Sequence, residues 1–173
     1  MHSQKTIKLL HIAPEKNLQK MLKSFSHIKY ISGDLNLLMN CNIRLDITDI
    51  NFENNYFDVI ICNHVLEHIQ DERKAMSELS RVLEPDGKAI LQVPISKYNK
   101  ETFEDFSIIS PEEREKYFGQ KDHVRIYGKD YKNRLESVGF KVDLFDIKMF
   151  LSIREIKKYR LNEEEILYLC RKP

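Results

Sequence analysis

The chain has 173 residues, 42% of them hydrophobic and 32% charged, which fits one globular domain able to bury about 70% of its unfolded surface without a staple. Lys and Arg number 28 against 27 Asp and Glu, and a net charge of +1 argues against a basic nucleic-acid reader of the histone or homeodomain kind. No apolar run approaches the roughly 20 residues of a membrane span, and the N-terminus lacks a signal peptide's apolar core and small-residue cleavage site.

Residues 6–13 form a short apolar run that stops at Pro14, and Pro14 suits the first turn of a following helix. Leu18, Met21, Leu22 and Phe25 give that helix one apolar face. Residues 28–31, ending at Gly33-Asp34, and residues 43–47 read as the second and third strands. Residues 57–62 are continuously apolar, as expected of a central strand buried on both faces. Asp71 is placed to cap a helix in which Ala75, Met76, Leu79, Val82 and Leu83 recur at helical spacing. Pro85-Asp86-Gly87 reads as a turn in which Gly87 takes the positive backbone angle, and residues 89–93 as a fifth strand.

Residues 96–126 break the rhythm, with one short helix expected at Pro111–Phe118. A helix through Tyr131, Leu135 and Val138 stops at Gly139. Residues 140–147 and 166–170 read as the last strands, with 151–159 a helical connector. This alternation predicts a doubly wound α/β sheet in one domain over residues 1–173, with a lid or substrate excursion at about 96–126. Cys41, Cys62 and Cys170 form no CxxC pair, which argues against zinc ribbons and disulfide frameworks and suits a reducing cytoplasm.

In such sheets ligands bind beyond the carboxyl ends of the strands. Asp34, with Leu35 beside it, stands at the end of the second strand about 20 residues past the first loop, where a carboxylate can accept two ribose hydroxyls; the plain alternative is a solvated turn. The first loop, His11-Ile-Ala-Pro-Glu15, has no glycine to admit a phosphate, and Glu15 would repel one, so NAD and FAD are disfavoured. A cofactor with an ammonium group meets no such repulsion. Asp46 could accept from an adenine amine while the next backbone N–H, that of Ile47, reaches a ring nitrogen; otherwise it caps a turn, a part that Asp49 suits better.

Asn63-His-Val-Leu-Glu-His68 follows the central strand. Two histidines and a carboxylate invite a metal reading, but spacing places no third ligand and the order is not HExxH, so no metal is expected. His64, His68 and His123 are the candidate general bases, although the placement of His68 favours a packed, hydrogen-bonded residue at a loop-to-helix junction. His123 and Arg125 would point the same way in an extended segment and could hold substrate, or else anchor the lid by a salt bridge. The basic cluster at 157–160 is offset by Glu163-Glu-Glu165 and reads as a solvated face.

Residues 57–69 and then Ala75-Met-Ser-Glu-Leu-Ser-Arg-Val-Leu-Glu-Pro-Asp-Gly87 resemble the type 11 methyltransferase domain family of class I S-adenosylmethionine (SAM)-dependent methyltransferases, and Arg134-Leu-Glu-Ser-Val-Gly-Phe140 is similar to that family's helix ending in Gly-Phe. The resemblance implies a Rossmann-like, seven-stranded, mostly parallel sheet with the last strand antiparallel, and SAM as methyl donor. It implies that Asp34 holds the ribose, that Asp46 and the Ile47 backbone hold adenine, and that Asn63 lies beside the methionine part. The first loop departs from the family's acid followed by Gly-x-Gly: it has His11 and then Ala13-Pro14-Glu15, so the Ala13 carbonyl and Glu15 are expected to take the SAM ammonium. Few residues precede the first strand, so the site is expected to be open or completed by a partner chain. The expected reaction is in-line methyl transfer to a small-molecule acceptor, a sugar or cell-envelope precursor by family association. Two competing readings are a catalytically silent SAM-fold module that binds or regulates a partner, and an NAD-linked oxidoreductase, which the first loop disfavours.

Overall fold

In the computed structural model, which describes residues 5–37 and 41–173, β1 (Ile7–Ile12) is paired on both sides and its last four residues are buried. The N-terminal residues 1–4, read above for a leader, lie outside the described residues. α1 (Lys16–Lys23) follows, with Glu15 as its N-cap. Pro14 therefore precedes the cap instead of entering the first turn. Leu22 is the buried residue of α1, and with Leu9 and Ile61 it forms a small core on one face of the sheet.

β2 (Ile28–Asp34) is followed by β3 (Ile43–Arg44), a strand of two residues where five are predicted. The cause is local. Asp46 accepts hydrogen bonds from the Thr48 N–H (2.8 Å) and hydroxyl (2.7 Å), a side-chain turn that draws the chain out of the ladder. β4 (Phe57–Asn63) lies at the centre, and Phe57, Ile60 and Cys62 enter the main core. α2 (Glu72–Val82) starts where predicted, the Asp71 carboxylate accepting from the Lys74 N–H (3.0 Å). Its Ala75, Met76, Leu79 and Val82 pack on the same face of the sheet as Ile60, each larger side chain contributing roughly 1.5–3 kcal/mol by burial.

β5 (Leu83–Gln92) begins earlier than expected, because the 85–87 turn is an irregularity within the strand and its register against β4 shifts there. Asp86, not Gly87, carries the left-handed angle (φ 61°). Gly87 is required for space: a Cβ would stand 2.7 Å from the Glu84 carbonyl oxygen. The excursion contains β6 (Phe103–Glu104), α3 (Pro111–Phe118) and β7 (Arg125–Ile126), with β6 and β7 paired as a separate ribbon. The chain then forms α4 (Tyr131–Glu136), β8 (Lys141–Asp146), α5 (Ile153–Tyr159) and β9 (Ile166–Arg171).

The seven-stranded sheet has the order β3-β2-β1-β4-β5-β9-β8. β9 runs antiparallel to both neighbours, and the strands from β3 to β5 are parallel. This is the Rossmann-like arrangement expected. The chain order reverses between β1 and β4, so the ends of β1, β2 and β4 flank the switch-point crevice. Among the described residues no helix is long and apolar enough to cross a membrane.

Candidate functional site

At the end of β1 the chain turns sharply. Ala13 adopts a left-handed angle (φ 46°) and its N–H donates to the Gly33 carbonyl (2.9 Å), tying the first loop to the end of β2. His11 is fully buried, with Nδ1 2.9 Å from the Tyr30 hydroxyl and Nε2 2.7 Å from Glu15 Oε2. A carboxylate only accepts, so Nε2 carries the proton and Nδ1 accepts from Tyr30. Burial holds the His11 pKa below its ordinary value, outweighing Glu15, so the ring is neutral. Burial also pushes the Glu15 carboxyl up, but hydrogen bonds from Asn63, the backbone and His11 outweigh it and leave Glu15 more acidic than usual. The Asn63 amide donates to Glu15 Oε1 (3.0 Å), while its buried Oδ1 finds no hydrogen-bond partner among the described residues. The result is a fixed, partly exposed negative charge at the mouth of the first loop.

A groove of about 540 Å³ opens at this edge, lined by Ile12, Ala13, Asp34, Leu35, Leu45 and Ile47 on one side and by His64, Val65, His68, Ile69 and Asp122 on the other. Of the sequence-predicted cofactor residues, Ala13, Asp34, Leu35 and Ile47 line it together. His11, Glu15 and Asn63 form the network behind the loop. Asp34 Oδ1 accepts from the Asn36 N–H (2.8 Å), which aims the carboxylate at the end of β2. Asp46 lies outside the lining, and bonding with Thr48 keeps it acidic. The capping part expected of Asp49 is therefore taken by Asp46. The walls are mostly apolar with few polar groups, as small-molecule sites usually are.

His64 has a left-handed backbone (φ 54°), which turns it out of β4 at the sheet edge. It lines both this groove and an adjoining hollow of about 500 Å³ that includes Gln92, Ser96, Lys97, Lys129 and Glu164. His68 meets His123 edge-on, with ring centroids 4.7 Å apart. Burial and the neighbouring His68 hold the His123 pKa below its ordinary value.

Arg125 takes the anchoring part, one of the two expected of it. It is 1% exposed, and its guanidinium donates to the carbonyls of Leu66 (2.8 Å), Ile69 (2.5 Å) and Gln70 (2.9 Å) and to Glu104 (3.0 Å). Those bonds occupy four of its five N–H donors, so it anchors the excursion.

Glu67, the carboxylate of the metal reading that spacing disfavoured and given no other part, is 2% exposed, and its Oε2 finds no hydrogen-bond partner among the described residues. The available signal was a carboxylate set between the apolar Leu66 and Ile69 and two histidines. Glu67, His68 and His123 each bring a ligand-type atom within 4.8 Å of the others'.

The fold agrees with comparisons. Residues 12–91 match the family model described as a methyltransferase domain. No curated protein matches the sequence. Solved structures give the same fold at low identity. One is the complex of the Haloferax volcanii Trm112 methyltransferase activator with its assigned methyltransferase (12% identity, TM-score 0.66, 100% of this chain and 85% of that one). Another is a Bacillus halodurans protein assigned as a methyltransferase (17%, TM-score 0.62, 98% and 93%). A third is Haemonchus contortus phosphoethanolamine N-methyltransferase 2 in complex with SAM (14%, TM-score 0.62, 99% and 50%).

The methyltransferase-domain match implies SAM as the cofactor. The donor set fits that group better than a dinucleotide. The acidic Glu15 beside a glycine-free turn attracts an ammonium and opposes a pyrophosphate, and Asn63 Oδ1 offers an unused acceptor next to it.

Proposed function

We propose that this chain is a SAM-dependent methyltransferase acting on a small molecule. The observation that carries the reading is the switch-point groove, with Asp34 on one wall and the anionic first loop at its end. Asp34 would accept the ribose hydroxyls, Leu35, Leu45 and Ile47 would enclose the adenine, and the Ala13 carbonyl and Glu15 would face the ammonium. SAM supplies an activated methyl when bound; the chain's own work is to align the acceptor with it. Alignment of that kind is worth up to roughly 7–11 kcal/mol in well-oriented systems.

The 500 Å³ hollow that shares His64 with the groove is the acceptor space in this reading, and its size is that of a small-molecule pocket. Lys97, Lys129 and Glu164 suit a polar acceptor. His64, more than half exposed, stands between the two spaces and is the candidate base for a hydroxyl acceptor. A partner chain covering the open groove belongs to the same proposal.

Binding of SAM to variants tests it. Removing the Asp34 carboxylate deletes charge-assisted hydrogen bonds worth about 1.5–3 kcal/mol, so Asp34→Ala is expected to weaken SAM by roughly 10–100-fold. Equal SAM affinity in Asp34→Ala and Glu15→Ala would remove the assigned site.

A further inference from the structure

Glu67, His68 and His123 come from two distant parts of the chain, the turn after β4 and the end of the excursion. A turn of Leu66–His68 in 3-10 geometry presents the first two. The Val124 N–H donates to the Glu67 carbonyl (2.9 Å), and Arg125 bonds Leu66, Ile69 and Gln70, so His123 is held against this turn. The carboxylate oxygen Oε2 of Glu67 is buried and unpaired among the described residues, a costly state without a compensating partner. His64 Nδ1 lies 3.6 Å from the opposite oxygen, Oε1.

The ring orientations are also fixed. His68 Nδ1 lies 3.3 Å from the Asp122 carbonyl and 3.3 Å from its carboxylate; His123 Nδ1 lies 3.3 Å from the Phe118 carbonyl. Those oxygens only accept, so Nδ1 carries the proton on each ring and Nε2 keeps its lone pair. A backbone or carboxylate acceptor behind each imidazole is the usual outer support of a metal-binding histidine.

From this cluster we infer that Glu67, His68 and His123 form a site for one divalent transition-metal ion of the zinc type. Two imidazoles and one carboxylate are the donor set such ions prefer, whereas magnesium favours all-oxygen shells. Side-chain rotation must close the ligand atoms from within 4.8 Å to first-shell spacing. His68, 30% exposed, provides the entry path. Three protein ligands leave a tetrahedral ion one open position. His68 lines the switch-point groove, and Glu67 and His123 line a neighbouring cavity of about 290 Å³, so the site forms part of the wall between the two spaces. The ion site itself does not depend on the methyl-transfer reading.

The test uses the full chain, stripped with a chelator and without SAM. Calorimetric titration with zinc should show one ion per chain at micromolar affinity or tighter, and magnesium should give no comparable heat. Cobalt should produce the visible absorption of a low-coordinate ion. Glu67→Gln and His68→Gln should each weaken zinc by roughly 100-fold or more, while His27→Ala, away from the cluster, leaves it unchanged. Circular dichroism melts establish that each variant is folded; His68, partly exposed while Glu67 and His123 are buried, is the substitution least able to disturb the core. Absence of stoichiometric zinc binding, or unchanged affinity in the folded His68→Gln chain, overturns the assignment. Because SAM takes no part, failure here leaves the methyltransferase reading standing, and the reverse also holds.

Discussion

His11 is a polar residue with no exposure, and its partners decide its behaviour. Tyr30 and Glu15 satisfy both ring nitrogens, and burial is what favours the neutral ring. The folded pKa lies below the ordinary value of 6.5, so the unfolded chain takes up the proton first as pH falls. The stability contribution is therefore complete above 6.5 and is lost as pH drops below it. Glu15 is likewise depressed, and its own share is lost below the ordinary carboxylate value of 4.5. Thermal melts across this range should show the melting temperature falling in the first window. His11→Gln should flatten that first slope; an equal slope in the variant would contradict the assignment.

At the scale of elements, the excursion is held by a buried ionic cluster. Arg125 ties β7 to residues 66–70, and Arg134 of α4 pairs with Glu72 of α2 and Glu104 of β6. Gly128 permits the close crossing at the base: a Cβ there would lie 2.4 Å from the Glu101 carbonyl carbon. Arg125→Ala would leave Glu104 and three carbonyls without this partner, and denaturant melts should show a loss of about 3–5 kcal/mol. Arg125→Lys should recover little, because one ammonium cannot reproduce the fork. A near-neutral Arg125→Ala would show that the excursion is docked by other contacts. The spacing of His123 and Arg125 was legible as two polar side chains from one segment. What they would meet was not, since the carbonyls of residues 66–70 are more than fifty positions away in sequence.

Across the whole molecule, the strands that apolar runs announced, residues 57–62 above all, are where local pattern and burial agree. The short β3 departs because Asp46 finds Thr48, a side-chain competition that hydrophobic periodicity does not register. Asp34 and Leu35 could be placed at the switch point from strand spacing alone, since a parallel sheet puts every strand end on one edge. Glu67 could not, because its burial depends on the excursion folding over it. The network of His11, Glu15 and Asn63 joins three positions on β1, the loop and β4 that only the register of the sheet brings together.

The central claim is that this edge recognises SAM through an anionic, glycine-free first loop. The most direct measurement is calorimetric titration of the unmodified chain with SAM, S-adenosylhomocysteine and NAD. The account predicts micromolar, one-to-one binding of SAM and S-adenosylhomocysteine and no comparable binding of NAD. Binding of NAD without SAM, or of neither SAM nor S-adenosylhomocysteine, would contradict it.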